Sequence, residues 1–232
     1  MNTILLRGIC LVVGYLFGMI QTAYLYGRMK GIDIREHGSG NAGTTNTLRV
    51  LGKKAGLIVF LGDLAKTIIP VLTVGFIIRA YLPEYEDYVF LLRLYTGFGA
   101  ILGHNFPFYL GFKGGKGIAA TGGMILGFYW PFIIMGLASF FGVFFITHYV
   151  SLGSIVLMVA FFTMMCLMCG FEVGAFAGLP AAILIEMCAV TFVISAMAIY
   201  RHRENIKRLL GHCERKTYIL KKNKVDVETK AE

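Results

Sequence analysis

Residues 56–80 read GLIVFLGDLAKTIIPVLTVGFIIRA, and only Asp63, Lys66 and Arg79 in that stretch carry charge. A helix needs about 20 largely apolar residues to cross ~30 Å of hydrocarbon, and this run is long enough. Six more apolar runs share its character, at 4–26, 88–110, 118–130, 132–147, 152–170 and 173–200. They are continuous, which excludes the period-two alternation of a transmembrane barrel. Composition agrees: 57% of the 232 residues are hydrophobic and 15% are charged, too little polar surface to face water all round. The first run lacks a small-residue cleavage site and reads as a retained span. The sequence therefore predicts an all-α integral membrane protein, with one domain over 1–215 and a polar, frayed tail over 216–232.

Charge orders the spans. The segment 27–55 carries Arg28, Lys30, Arg35, Arg49, Lys53 and Lys54, whereas 82–87 carries Glu84, Glu86 and Asp87 and no Lys or Arg. Positive loops stay on the cytoplasmic side, so the first segment is inside and the second outside. The turn with Lys113 and Lys116 then falls inside. With seven spans, 148–151 and the tail, with its ten Lys and Arg after Tyr200, also fall inside. With six, that tail would face out. The expectation is a seven-transmembrane-helix bundle, N-terminus outside and C-terminus cytoplasmic. The fourth run is short and abuts Pro131, which suggests a helix that does not cross fully and lines a cavity.

The net charge of +9 reads in this setting as loop bias plus attraction to anionic lipid or substrate, and not as nucleic-acid binding. Five cysteines are an odd count. Cys166 and Cys169 form a CxxC within one apolar run with no second pair, so buried thiols are the better reading than zinc or redox chemistry. No internal repeat is evident, and the inverted-repeat pattern of many transporters gets no support.

Four polar elements land on the predicted inner face. The first is His37-Gly-Ser39-Gly40-Asn41-Ala42-Gly43-Thr44-Thr45-Asn46-Thr47-Leu48-Arg49. Its glycines leave backbone N–H groups free to curl round an anion, its hydroxyls donate, and Arg49 offers a fork matched to phosphate. Gly38–Gly43 fits GxGxxG but follows no strand, so a dinucleotide site fails on context. The second runs from Gly103-His104-Asn105-Phe106-Pro107 to Phe112-Lys113-Gly114-Gly115-Lys116-Gly117. It is no Walker A, yet it aims a glycine-rich turn, lysines and a helix start at one place. Span anchoring by Lys113 and Lys116 is the plainer alternative. The third, Arg201-His202-Arg203-Glu204-Asn205, puts His202 and Asn205 on one face if the last helix continues. The fourth, Tyr149-Val150-Ser151, is weak by itself, since serines at span ends are common caps. Asp63 and Lys66, three apart inside a span, are expected to pair or to face the cavity.

At these residues the chain resembles the bacterial acyl-phosphate:glycerol-3-phosphate acyltransferases of the PlsY type. The likeness runs over nearly the whole chain and rests on three motifs in order: Gly38–Arg49 followed by Leu51-Gly52; Gly103–Pro107 with Phe112–Gly117; and Arg201-His202 with Asn205-Ile206. Gly62-Asp63…Lys66 also fits, although Thr67 and Ala42 depart from the more usual glycine and proline. The resemblance implies acyl transfer from a long-chain acyl phosphate to the 1-hydroxyl of glycerol 3-phosphate, giving lysophosphatidic acid and phosphate, at a bacterial inner membrane, with no metal and no cofactor. It implies His202, Asn205 and Ser151 as catalytic groups. Ser39, Gly40, Asn41, Thr45, Asn46, Arg49, His104, Lys113, Gly114, Gly115, Lys116 and Arg201 would then bind substrate phosphate. An organic-anion transporter with a basic vestibule, or a structural lipid-binding subunit, are the rival readings.

Overall fold

The computed structural model describes residues 2–218, and every regular element among them is helical. The predicted first span is two helices, α1 (Thr3–Gly18) and α2 (Thr22–Met29). The break has a physical cause. Gln21 is fully buried and donates to the Gly103 and His104 carbonyls at 3.3 and 3.0 Å, while the Lys66 ammonium takes the Ile20 carbonyl at 2.8 Å. Irregular backbone at this depth survives only where protein groups satisfy it, and here they do.

Two further short elements follow in the segment 27–55, read from the sequence as a basic loop between spans. Residues 34–36 form a single 3₁₀ turn, and Thr44–Leu51 form α3. Gly52, at φ +86°, separates α3 from α4 (Lys53–Tyr81), whose 29 residues span about 43 Å. Next come α5 (Val89–Asn105), α6 (Ile118–Phe128), α7 (Trp130–Thr147), α8 (Val150–Gly170), α9 (Ala181–Arg201) and α10 (Arg203–Leu210). The 11 residues of α6 reach only about 16 Å. Pro131 does not delay α7, because it sits in the first turn, where no helical partner awaits its missing N–H.

Two expectations for the last run fail. Its helix begins at Ala181, behind a 3₁₀ turn over Gly174–Phe176 and Pro180, and not at 173. Nor does it continue past the polar end. His202, at φ −95° and ψ 6°, stops α9, and α10 departs as a separate helix.

Among the described residues, five helices are long and apolar enough to cross a membrane: Thr3–Met29 taken across its break, α4, α7, α8 and α9. Close packing of α1 on α5 comes from a seam of glycines. A methyl on Gly14 would stand 2.9 Å from the Ala100 nitrogen, and one on Gly103 would stand 2.8 Å from the Met19 nitrogen. Small residues are how helix backbones approach in lipid, where apolar burial offers little drive. At the bundle end away from the glycine-rich loops, Phe90, Phe128, Phe132 and Phe176 form an edge-packed ring cluster. Toward the same end, Arg7 clasps Glu186 through two 2.6 Å bonds and Tyr95 donates to the same carboxylate, joining α1, α5 and α9. These contacts leave the loop-bearing end as the place where polar groups gather without apolar cover.

Candidate active site

The first loop is shaped by one side chain. Asn46 projects from α3, donates to the Ile34 and His37 carbonyls at 3.1 and 2.9 Å, and accepts the Ser39 N–H at 2.8 Å. It is buried and fully used, so the structure places Asn46 as the staple of the loop and not on its open face. Ser39 and Gly40 are exposed on that face, with Asn41 and Thr45 half-buried beside them.

The second loop folds back on the end of α5. The Gly114 and Gly115 amides donate to the Asn105 and His104 carbonyls at 3.2 and 3.1 Å, and Arg201 from α9 takes the Gly114 and Gly115 carbonyls at 3.2 and 2.6 Å. Those two amides are therefore spent within the turn and are not donors for a ligand. A side chain at Gly115 would strike the His104 ring and stand 2.7 Å from the Ala42 carbonyl, so this glycine is where the two loops touch. Gly117 caps α6 at φ +83°, a conformation that favours glycine. Lys113 is exposed; Lys116 is half-buried and points inward.

Against this turn, inside the bundle, lies a closed set of charges. The Lys66 ammonium meets Asp63 Oδ1 and His104 Nδ1, both at 2.8 Å, and Thr22 Oγ1 donates to Asp63 at 3.2 Å. The predicted pairing of Asp63 with Lys66 is present. His104, predicted as a phosphate contact, is instead buried as an acceptor for Lys66.

The remaining predicted residues meet around Glu214. Its Oε1 accepts from Ser151 Oγ at 2.9 Å and Asn205 Nδ2 at 2.7 Å, and its Oε2 accepts from Arg208 Nε at 2.7 Å. Lys116 Nζ donates to the Asn205 side-chain oxygen. Arg49 donates to Thr217 Oγ1 at 2.8 Å and to the Arg215 carbonyl at 3.2 Å, and the Thr217 amide donates to the His148 carbonyl. The predicted tail thus packs into the site at 216–218, while 219–232 lie outside the described residues. His202 and Asn205 are both buried, and they lie on the first turn of α10, which the Ile206 amide closes on the His202 carbonyl at 2.8 Å.

Electrostatics follow from this crowding. Burial pushes the Lys116 ammonium down to about 8, with Arg208, Arg201 and Arg49 adding repulsion that Glu214 partly offsets. Burial likewise pushes His202 down to about 4, against the hydrogen bond to the Ala198 carbonyl. That 2.8 Å contact assigns the proton to Nδ1, since a carbonyl can only accept, and leaves Nε2 as an acceptor. Burial works to raise the Glu214 carboxyl and is outweighed by hydrogen bonds from Asn205, Arg208 and Ser151, so it stays below its ordinary value. Arg49, Lys116, Arg201 and Arg208 stand against one carboxylate, which suits a site that receives anions.

Comparison with known proteins bears on this geometry. The family model for glycerol-3-phosphate acyltransferase matches residues 8–212. The chain is 42% identical to the glycerol-3-phosphate acyltransferase of Clostridioides difficile over 88% of its own length and 92% of the relative's. It is 39% identical to that of Chlorobaculum tepidum, over 92% and 97%. A crystal structure of PlsY, an integral membrane glycerol 3-phosphate acyltransferase, in its glycerol 3-phosphate form, superposes with a TM-score of 0.75. It is 34% identical, covering 92% of this chain and 96% of that one. The lysophosphatidic acid form of PlsY gives 0.73 at 33% identity over the same shares.

The chain belongs to the glycerol-3-phosphate acyltransferase family. As a member it is an integral membrane acyltransferase, and its loop-bearing end is the natural candidate for the chemistry. Three residues of this acyltransferase site escaped the sequence reading: Arg208, Glu214 and Thr217. The available signal was faint, a single acid set among basic residues in a stretch that resembled a solvated tail.

Proposed function

We propose that this acyltransferase moves a long-chain fatty acyl group from acyl phosphate to the 1-hydroxyl of glycerol 3-phosphate, releasing lysophosphatidic acid and phosphate. The two PlsY crystal forms carry the acceptor and the product of that reaction. The observation that carries the reading is the Glu214 hub: three donors already converge on an anion, amid four cations. Phosphorylated substrates supply the missing negative charge, and apolar helices beside the hub suit an acyl chain.

The topology belongs to the same proposal. Residues 1–215 form a seven-span unit with the N-terminus outside, the site on the cytoplasmic face of a bacterial inner membrane, and 216–232 as a cytoplasmic tail. Support comes from the acidic turn at 82–87 lying at the far end of the bundle from the basic loops.

An acyl phosphate is activated in itself, so the protein needs to position and to stabilise charge. The acceptor oxygen bonds the acyl carbon, the bond from that carbon to the phosphate oxygen breaks, and the hydroxyl proton must leave. At about 4, His202 is too weak a base to hold that proton near neutrality. Its Nε2 instead accepts a hydrogen bond from the hydroxyl and aims it, and the departing phosphate, which gains a full negative charge on the oxygen that had bonded the acyl carbon, takes the proton and leaves as hydrogen phosphate. Arg49 with Lys116 or Lys113 holds phosphate groups, and Ser39, Gly40, Asn41 and Thr45 line the approach. Ser151 and Asn205, turned from Glu214 toward substrate, steady the developing oxyanion. Asn46, His104, Gly114, Gly115 and Arg201 act one step back by fixing the loops.

The test is donor choice. Purified protein with radiolabelled glycerol 3-phosphate is expected to form lysophosphatidic acid from palmitoyl phosphate and not from palmitoyl-CoA. Product from the thioester alone would overturn the proposed donor. Anion flux in proteoliposomes without any product would favour the transporter reading.

A further inference from the structure

A further charged feature lies at the opposite end of the bundle. A crevice opens sideways between α4, α5, α6 and the start of α7. Two adjoining cavities of about 360 and 480 Å³ form it, and they share Leu72, Arg79 and Arg93. Its walls are apolar: Leu72, Phe76, Leu126 and Ile133. Its base is not.

Arg93 reaches in from α5. Its guanidinium lies flat against Gly75, where any side chain would collide with it, and Nη1 donates to the Phe128 carbonyl at the end of α6 at 3.0 Å. Its Nε is buried without an acceptor, and Arg93 makes no ion pair among the described residues. Arg79, on the rim, is paired with Glu86 at 3.1 Å. Two guanidiniums therefore face one carboxylate, and a full positive charge stays uncompensated in a wall that faces lipid. Such charges are costly unless an anion meets them.

The depth is right for a headgroup. Tyr81 and Trp130 bracket the crevice at 71% and 63% exposure, and exposed tyrosine and tryptophan mark the level of the bilayer interface. Arg93 lies about one helical turn into α5, so a phosphate there would leave an acyl chain to run along exposed Leu72 and Leu126.

We propose that this crevice binds an anionic glycerophospholipid of the surrounding bilayer, its phosphodiester on Arg93 and Arg79 and one acyl chain along Leu72 and Leu126. The site is separate from the acyl-transfer chemistry and does not depend on the donor. Native mass spectrometry of the full chain in detergent, with equimolar dioleoyl phosphatidylglycerol and dioleoyl phosphatidylcholine, tests it. The wild type is expected to retain phosphatidylglycerol severalfold over phosphatidylcholine, and Arg93→Gln to bring the two near parity. Leu126→Trp fills the crevice with every cation kept, and is expected to reduce phosphatidylglycerol retention too. Equal retention by the wild type, or a preference undiminished in both variants, overturns the site. The latter result would mean that cations of the basic end hold the lipid. Should Arg93→Gln fail to fold, Arg79→Gln with Leu126→Trp decides in the same way.

Discussion

On one side of the Gly114–Gly115 turn, Asp63, Lys66 and His104 satisfy one another inside the helix bundle. On the other, Ser151, Asn205, Arg208 and Glu214 form a hub around which Arg49, Lys116 and Arg201 leave positive charge in excess. Both sets are largely buried and both contain an acid–base pair, yet they are built differently. The first is closed around its cation: the Lys66 ammonium has Asp63, His104 and the Ile20 carbonyl as partners, which uses all three of its protons. The second is open, held by side chains from α3, α8, α10 and the segment after it, and its one acid comes from a strand of chain that packs over the loops. A closed set in a dry interior fixes geometry. An open one, with surplus charge at the loop-bearing end of the bundle, can exchange its anion for another.

The comparison breaks most readily at Lys66. Replacing it with Met strands Asp63 as an uncompensated buried charge, and the expected loss of stability is about 3–5 kcal/mol. Thermal unfolding in detergent measures it, and Asp63→Asn added to Lys66→Met should recover most of the loss. Arg208→Gln in the open set should cost under ~1 kcal/mol, because Arg208 is 41% exposed and solvent screens its pair with Glu214. Equal losses for the two variants would erase the distinction.

Turnover tests the open set. For His202→Ala in a folded protein, a fall of about ten- to a thousandfold is expected if Nε2 aims the acceptor hydroxyl. A near-normal rate would leave His202 as only the group that ends α9.

The contrast also explains what could be read in advance. Apolar runs are long-range averages, so the all-helical membrane class was legible in 56–80 alone, as was the shortness of the helix that begins at Ile118. The Asp63–Lys66 pair was legible because two opposite charges three residues apart in an apolar run have few alternatives. The break at residues 19–21 was not, since it depends on Gln21 meeting carbonyls of residues 103 and 104, more than 80 positions away. Glu214 was hidden for the same reason: its partners Ser151 and Asn205 declare it, and a basic tail does not. Asn46 carried the right chemistry for phosphate, but hydrogen bonds to the loop consume it first, and His104 spends Nδ1 on Lys66.

A smaller effect sharpens the role of Arg49. Arg49→Lys keeps the charge and loses the two-pronged donor, so the KM for a phosphorylated substrate should rise about tenfold while kcat changes less. Initial rates over a range of each substrate show which phosphate the fork holds. Unchanged constants for both would remove Arg49 from binding and leave it as the anchor of Arg215 and Thr217.

The mildest expectation is a pH dependence, and its sign separates chemistry from unfolding. Burial lowers Lys116 from 10.5 to about 8, so the ammonium is present below that pH and is lost as pH rises through it. If Lys116 binds substrate phosphate, kcat/KM, which reports the free enzyme, should drop to about half near pH 8 and decline further above. Stability should move the other way. Between about 8 and 10.5 the unfolded chain holds a proton on this lysine that the folded one lacks, and stability therefore rises with pH over that window. Activity that falls while the unfolding temperature holds or climbs identifies the loss of a charge at the site. Lys116→Arg should abolish the limb, because a guanidinium stays protonated throughout. A limb that persists unchanged in that variant assigns the titration to another group and returns Lys116 to the part of a support for Asn205.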